Sequence, residues 1–334
     1  MKIEKKPPAP PGIASTAYRL PGPSTTVREL RQRETHHIKN VRENILQVPK
    51  LKTITLEEVK GIHEFTTQEP GELALQAVGE VMAKRGITGR EISLIVDFST
   101  VSRDKNGISL CYKIQEKIAA HNALTIALGN GSCVSLQLAF KMAVSLMGQE
   151  PDMKFSLLFA EDRVIGNRYN APFNLLGDGA SALLLEKNYP HSRILDTQYQ
   201  SIGKFNRILG IQHWEKSNFD FGEFENRIIP MHYKVIRDLA ARVLERNQLD
   251  LTTIALVLYQ NMSINDYRGL IHGLGISENK VYQKGLAGHG HIFGSDLVIN
   301  YHLASEEGRI SPGDHILMIS SGAGFSWGVT LVKA

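Results

Sequence analysis

Strand-like and helix-like segments alternate along most of this chain, and this alternation limits its possible folds more than any other feature. The first half has strand-like runs at Ile92–Thr100, Leu124–Gly129, Phe155–Ala160 and Ala180–Leu185, and a helical run at Val134–Met147. Strand, helix and strand at this spacing are typical of βαβ units in a largely parallel sheet. The sequence therefore predicts an α/β protein.

The second half repeats the alternation. It has helical runs near Val235–Glu245, Tyr267–Gly273 and Asp296–Glu307, and strand-like runs at Ile254–Tyr259, Ile316–Ser320 and Trp327–Val332. Each half closes on a glycine turn that leads into a β-rich strand, at Gly177–Lys187 and at Gly322–Ala334. Such self-similarity favours a duplicated unit, although glycine turns precede strands in any α/β protein.

Composition excludes several other classes of protein. The 334 residues are 42% hydrophobic and 22% charged, which is ordinary for a globular chain and unlike a disordered one. A formal charge of +4, from 38 basic and 34 acidic residues, is too small for a dedicated nucleic-acid binder. Residues 1–12 are rich in proline and lysine, so we interpret them as a flexible, extended arm outside the fold.

The cysteine count and the hydropathy pattern indicate a cytoplasmic protein. Cys111 and Cys133 are the two cysteines of the sequence, which does not suit a disulfide framework and favours a reducing compartment. The N-terminus lacks the apolar stretch of a signal peptide, and no segment has the roughly 18 uninterrupted apolar residues of a membrane span.

Cys133 is the candidate nucleophile. It follows an apolar strand and a glycine turn, and it directly precedes the helical run that starts at Val134. The free N–H groups and dipole of a helix N-terminus stabilise anions, so a thiol placed there is shifted towards the reactive thiolate. The alternative is a small buried apolar cysteine, and we assign Cys111 to that alternative because no glycine turn adjoins it.

Three ordered blocks of sequence resemble ketoacyl-ACP synthase III and its relatives. They are Gly131–Ser135, Leu176–Ala182, and Glu307–Asp314 running into Ser321–Gly328. The resemblance covers roughly residues 13–334 and is thin between Arg28 and Leu56 and between Gln198 and Pro230.

This resemblance implies a thiolase-like, duplicated αβαβα fold of five layers. Residues 13–190 would form the half that carries the nucleophile, and residues 191–334 would form the second half. It also implies a homodimer, an acyl-cysteine intermediate and a pantetheine tunnel that leads to the cysteine.

The chain departs from the family at two site positions. The family pairs its cysteine with a histidine and an asparagine, and here Tyr259 falls on the histidine and His291 on the asparagine. If the match is shifted by one residue, Gln260 instead of Tyr259 occupies the position of the family's histidine. The resemblance thus implies a catalytic set of Cys133, Tyr259 and His291, in which a phenol is a poor base and an imidazole titrates near neutral pH. The alternatives are a core tyrosine and a loop histidine.

The resemblance also implies an oxyanion hole made by the backbone amides of Cys133 and Ala323. His289 and His291 are two residues apart without a nearby cysteine or acidic partner at ligand spacing, which falls short of a zinc signature. We expect no metal and no cofactor, with acyl-CoA or an acyl carrier protein entering as substrate.

An acidic carrier protein needs a basic docking surface. The densest basic stretch consists of Arg28, Arg31, Arg33, Lys39 and Arg42, which are equally compatible with a solvated helix face. Where the family often has a basic docking residue, this chain has Ile264, and Arg268 is the nearest cation.

The leading functional hypothesis is an acyltransferase of the ketoacyl synthase III type. It would load an acyl group on Cys133 and transfer it to a carbon nucleophile, an alcohol or an amine, in specialised fatty-acid or polyketide metabolism. Two alternatives stay open: a non-catalytic partner subunit of a condensing-enzyme complex, and a thioesterase-like hydrolase in which His291 activates water.

Overall fold

The computed structural model describes residues 9–33, 59–101, 106–129, 131–164, 168–170, 174–205 and 224–334. Within these residues, ten strands build the main sheet: β1 Gly12–Arg19, β2 Ile92–Asp97, β3 Leu124–Ala127, β4 Phe155–Asp162, β5 Gly179–Glu186, β6 Arg193–Ser201, β7 Ile254–Tyr259, β8 Val281–Tyr282, β9 His315–Gly322 and β10 Ser326–Lys333. The α-helices are α1 Val27–Gln32, α2 Glu72–Arg85, α3 Leu110–Lys117, α4 Ser135–Gln149, α5 Ile229–Arg246, α6 Ile264–Leu274, α7 Lys284–His289 and α8 Ser295–Glu306.

The strand order shows that the fold is a duplicated unit. The strands of the first half lie in the order β3-β2-β4-β5-β1, and those of the second half lie in the order β8-β7-β9-β10-β6. When the strands of each half are counted along the chain, both orders are third, second, fourth, fifth and first. The orientations also match: the three strands at one end of each half are parallel, and the last two are antiparallel to their neighbours. The sheet is therefore mixed, where the sequence indicated a largely parallel one.

The two halves of the sheet join at β1 and β6. Gly12 pairs with Arg193, and the Ile194 amide donates to the Pro11 carbonyl at 3.0 Å. Residues 1–8 of the predicted arm lie outside the described residues, whereas Pro11 and Gly12, its last two residues, belong to the sheet junction. Strand pairing fixes this part of the chain, because its backbone groups find partners there.

Three buried clusters fill the spaces between the layers. Helices α2 and α3 pack on one outer face, and α5 and α6 pack on the other. Helices α4 and α8 lie between the two halves of the sheet, where Phe140 and Leu297 contribute to one shared cluster with residues of both halves. The architecture is a five-layer αβαβα fold of the thiolase type, as the resemblance implied.

The central helices position the ends of the strands that carry the site. Strands β4 and β5 are buried along their whole length, so their apolar residues are covered on both faces.

Within the described part of the chain, no helix has the length and apolar character needed to cross a membrane.

Candidate active site

Cys133 lies in a short 3-10 turn, Ser132–Val134, immediately before helix α4. Ser132 has a left-handed φ of 51°, and a Cβ on Gly131 would lie 2.9 Å from Ser135 Cα. The Ser135 hydroxyl donates to the carbonyl of Phe98 at 2.6 Å, which ties the turn to the end of β2. Cys133 is partly exposed.

His291 comes from the other half of the chain, at a point where two backbone segments meet. Its amide donates to the Leu175 carbonyl at 2.8 Å, and its own carbonyl accepts from Gly177 at 3.0 Å. A Cβ on Gly177 would lie 2.4 Å from the His289 carbonyl oxygen, and one on Gly290 would lie 2.5 Å from the Leu175 carbonyl oxygen. These two glycines therefore permit the contact that brings His291 into place.

Cys133, His291 and Asp296 form a hydrogen-bonded row. The Sγ of Cys133 lies 3.1 Å from His291 Nε2, and His291 Nδ1 lies 2.5 Å from Asp296 Oδ2. The histidine is 2% exposed and the aspartate is fully buried. A nucleophile beside a base whose far nitrogen is held by a carboxylate is the arrangement of a catalytic triad.

The charges of this row set the protonation of the histidine. Burial by itself would lower the pKa of His291, but the negative charges of Asp296 and Cys133 outweigh burial and raise that pKa well above its usual value. An imidazolium next to the sulfur stabilises the thiolate, which is the attacking species. Because acylation removes the thiolate charge, it also removes one of the two charges that raise the pKa. A larger fraction of the imidazole is then neutral, and only the neutral form can accept a proton.

Tyr259 is buried away from this row. Its hydroxyl is 3.1 Å from His232 Nε2, and the indole of Trp327 donates to His232 Nδ1 at 3.0 Å. Burial lowers the pKa of His232 and raises that of Tyr259 well above its usual value, so both are neutral. The structure brings Cys133 and His291 together, and it engages the Tyr259 hydroxyl with a different histidine.

The candidate oxyanion hole lies beside Cys133. Strand β9 ends at Gly322, where a Cβ would lie 2.9 Å from Ser132 Cβ and 3.1 Å from the Cys133 amide nitrogen. Ala323 follows in the exposed turn. The Gln260 side chain fixes this strand end, because it donates to the Ser321 hydroxyl at 2.8 Å and accepts from the Ser321 amide at 3.0 Å. Gln260 thus has a supporting position near the site.

The remaining candidates lie elsewhere. Cys111 is buried against the Ile126 carbonyl, and burial raises the pKa of its thiol to about 12, so it is a poor nucleophile. Among the residues that the structure describes, no cluster of three or more His, Cys, Asp and Glu side chains could hold a metal ion.

The basic stretch is divided in the structure. Arg28 and Arg31, together with Lys60, line a surface groove of about 610 Å³, and Arg33 pairs with Glu64 at 2.9 Å. Lys39 and Arg42 lie outside the described residues. On helix α6, the Arg268 guanidinium contacts the Asn265 side chain at 3.3 Å.

Asp296, which contacts His291 in the structure, is not among the site residues predicted from the sequence. The available signal was a carboxylate in the first turn of a helical run, five residues after His291. No sequence pattern connects Asn261 and Asn300 with the site, although both are fully buried and lie next to Asp296.

Comparisons with known proteins find similarity to ketoacyl synthase III enzymes. The family model for the C-terminal part of 3-oxoacyl-[acyl-carrier-protein (ACP)] synthase III matches residues 244–334. A beta-ketoacyl-[acyl-carrier-protein] synthase III of Clostridium perfringens is 26% identical over 280 residues, which cover 80% of this chain and 85% of that protein.

Solved structures share the fold along nearly the whole chain. The 3-oxoacyl-[acyl-carrier-protein] synthase III of Aquifex aeolicus superposes with a TM-score of 0.79 at 20% identity, covering 97% of this chain and 100% of that one. The acyltransferase ChlB3 gives a TM-score of 0.80 at 18% identity and covers 98% of both chains. The chain is therefore similar to ketoacyl synthase III enzymes over most of its length, and it shares the thiolase-type fold of their solved structures.

Proposed function

We propose that this protein is an acyltransferase that carries an acyl group on Cys133 and passes it to an alcohol or an amine. The observation that carries the proposal is the row Cys133–His291–Asp296, with contacts of 3.1 and 2.5 Å. An oxygen or nitrogen acceptor has a proton that must be removed, and this row provides a base next to the acyl group.

The first step loads the enzyme. The thiolate of Cys133 attacks the carbonyl carbon of a thioester donor, a new C–S bond forms, and the donor thiol leaves with the proton of the His291 imidazolium. The backbone amides of Cys133 and Ala323 would stabilise the negative oxygen of the tetrahedral intermediate. The product is an acyl-cysteine beside a neutral imidazole.

The second step transfers the group. His291 takes the proton of the acceptor hydroxyl or amine, the acceptor attacks the acyl carbon, and the C–S bond to Cys133 breaks. The thiolate re-forms beside the imidazolium, so the enzyme returns to its starting state. Asp296 holds the imidazole in the tautomer that presents Nε2 to both steps.

Decarboxylative carbon–carbon condensation has less support from this site. That reaction needs hydrogen-bond donors at the enolate formed from a malonyl group. The Tyr259 hydroxyl, which falls on the family's histidine, is engaged with His232 instead. For this reason we assign the enzyme to specialised fatty-acid or polyketide metabolism.

The partners of the reaction follow from the same proposal. The donor is acyl-CoA or an acyl carrier protein, and the cations Arg28, Arg31 and Lys60 around the surface groove suit an acidic carrier. We also propose a cytoplasmic location, because the thiols of Cys111 and Cys133 are both free.

Intact-protein mass spectrometry tests the loading step. After incubation with a panel of acyl-CoAs and acyl carrier proteins, the wild-type protein and Cys111→Ala should gain one acyl group, and Cys133→Ala should gain none. Failure to form any adduct would favour the non-catalytic subunit.

Adding acceptors to the loaded protein tests the transfer step. We expect an ester or amide product without CO₂ release, and His291→Ala should slow transfer by about 10²–10⁴-fold. Loss of the adduct to water without an acceptor would favour the hydrolase. Release of CO₂ with a carbon–carbon product from a malonyl thioester would show that condensation is the reaction.

A further inference from the structure

A row of two buried side-chain amides leads from the end of strand β7 to the carboxylate of Asp296. The Asn300 Nδ2 donates to the Tyr259 carbonyl at 2.8 Å and to Asn261 Oδ1 at 3.0 Å. Asn261 in turn donates to both oxygens of Asp296, from its backbone amide at 2.7 Å to Oδ2 and from its side-chain Nδ2 at 3.4 Å to Oδ1. Asn261, Asp296 and Asn300 are all fully buried.

The partners fix the direction of both amides. Asn300 Nδ2 faces two oxygen atoms, so turning this side chain over would place its oxygen against two acceptors. Asn261 Nδ2 faces a carboxylate and its Oδ1 faces an N–H donor, so its orientation is fixed in the same way. One donor contact therefore anchors the row to the Tyr259 carbonyl, and the other donor contacts run from Asn300 through Asn261 to Asp296.

The surrounding helices leave space for this row and little else. Asn300 follows Asp296 by four residues on α8, so both side chains lie on one face of that helix. Helix α7 contributes Gly285, where a Cβ would lie 1.9 Å from Asn300 Oδ1 and 3.2 Å from Asn261 Oδ1. The absence of a side chain at residue 285 is what admits the two amides.

The carboxylate receives donors on both of its oxygens. Besides the two contacts from Asn261, Oδ1 accepts from the Ile292 amide at 2.6 Å, and Oδ2 accepts from His291 Nδ1 at 2.5 Å. These donors fix the plane of the carboxylate, and the carboxylate fixes the ring of His291. A buried amide costs free energy unless its polar atoms are hydrogen-bonded. Among the described residues Asn300 Oδ1 has no hydrogen-bond partner, so stability alone does not explain the presence of Asn300.

We propose that Asn261 and Asn300 are positioning residues of the Cys133–His291–Asp296 row. They hold the Asp296 carboxylate so that His291 directs Nε2 at the sulfur of Cys133, and Asn300 acts through Asn261. The proposal rests on the proposed function only in taking acyl transfer as the reaction that this row catalyses. The arrangement of the thiol and the imidazole can be measured without that reaction.

Several titratable groups act on this row. The charges of Asp296, on α8, and of Cys133, in the turn before α4, act on His291, and Asp162, on β4, interacts with His291 electrostatically. Asp296 also acts on His289 at the end of α7 and on Tyr267 of α6. Asn261 and Asn300 carry no charge. Replacing them by apolar residues therefore changes the orientation of the Asp296 carboxylate and the His291 ring and leaves the set of charges unaltered.

The test is the pH dependence of the alkylation of Cys133 by iodoacetamide, in a Cys111→Ala background that leaves a single thiol. With the amides present, His291 Nε2 should stay directed at the sulfur and keep alkylation fast at pH 6. In Asn300→Leu, alkylation at pH 6 should slow by about tenfold, which shifts the profile. Asn261→Ala should shift the profile in the same direction, and it provides the test should Asn300→Leu fail to fold.

The double variant tests whether the two amides act in series. If Asn300 acts through Asn261, the double variant should show the shift of Asn261→Ala and no more. Thr330→Val is the matched control: it removes a buried hydrogen bond of 3.1 Å between Thr197 and Thr330 in the second half of the sheet and should leave the profile unchanged.

Two results would overturn the proposal. One is a wild-type profile in both amide variants, and the other is a shift of equal size in Thr330→Val, which would show a general effect of destabilisation. Because alkylation needs neither acyl donor nor acceptor, a protein that forms no acyl adduct would contradict the proposed function and still give an answer on the amides.

Discussion

At the scale of single residues, Tyr259 is a predicted site residue whose buried hydroxyl contacts His232 in the structure. Removing its hydroxyl in Tyr259→Phe should leave a buried donor on His232 without a partner, because Trp327 already occupies the other ring nitrogen. We expect a loss of about 1–3 kcal/mol in the free energy of unfolding, measured in urea. The rate of acyl transfer should not change. A large loss of transfer at unchanged stability would return Tyr259 to the site.

Asp162 should make stability depend on pH. It is fully buried, and burial, followed by smaller effects such as the nearby charge of Asp97, raises its pKa from 3.8 to about 7. Between these values the folded protein holds a proton that the unfolded chain releases, so this stabilising contribution is present at low pH and is lost as the pH rises to about 7.

The variant Asp162→Asn should remove this dependence. Its side-chain oxygen can still accept from the amides of Thr100 and Val101, which donate to Asp162 at 2.7 and 2.8 Å. Relative to this variant, the wild-type protein should lose about 1.4 kcal/mol per pH unit between pH 5 and 7. The raised pKa of His291 also makes stability fall as the pH rises above about 6.5, but both proteins share that effect. Parallel stability curves for the two proteins would argue against a protonated Asp162.

At the scale of secondary-structure elements, the end of β9 and the turn before α4 touch through a glycine. In Gly322→Ala, the new Cβ would lie 2.9 Å from Ser132 Cβ and 3.1 Å from the Cys133 nitrogen, so these two elements must move apart. The amides that would form the oxyanion hole then lose their alignment. We expect transfer to slow by about 10²-fold, as measured in single-turnover reactions, with the fold retained.

The control for this change is Gly203→Ala, because the structure places no atom within 4 Å of a Cβ at that position. That variant should transfer the acyl group at the wild-type rate. Equal rates for Gly322→Ala and the wild-type protein would mean that the approach of the two elements does not matter for catalysis.

At the scale of the whole molecule, we expect a homodimer formed through β3. This strand lies at one edge of the ten-stranded sheet, and Leu124 on β3 and Tyr112 on α3 are 51% and 59% exposed. An apolar edge strand tends to pair with another strand, and a two-fold axis would supply a second copy of β3. Sedimentation should give twice the monomer mass of 37.1 kDa.

Leu124→Asp should shift the protein towards the monomer. The exposed change Ala241→Asp, on α5 of the other half, should leave the sedimentation unchanged. A wild-type protein that stays monomeric at micromolar concentration would contradict this assembly.

Several elements could be predicted from the sequence because their signal is local. Strand β7 occupies Ile254–Tyr259, and helices α4 and α8 lie within two residues of the predicted bounds, since their apolar runs have a clear period and clear ends. Strands β1 and β6 were missed. Both carry several polar and partly exposed residues, so no apolar run marks them.

The sequence by itself determined the alternation of elements, the repeat of the unit and the place of Cys133 before a helix, because each depends on residues close together in the chain. The resemblance already implied that Cys133 and His291, 158 residues apart, share one site. Only the tertiary structure decided that Asp296 holds the imidazole and that Tyr259 contacts His232. The physical reason is that the contacts of Asp296 and Tyr259 depend on packing within the second half, and the contact of Cys133 with His291 depends on how the two halves pack. That packing is fixed where Gly177 and Gly290 let two backbone segments approach, which local sequence patterns do not report.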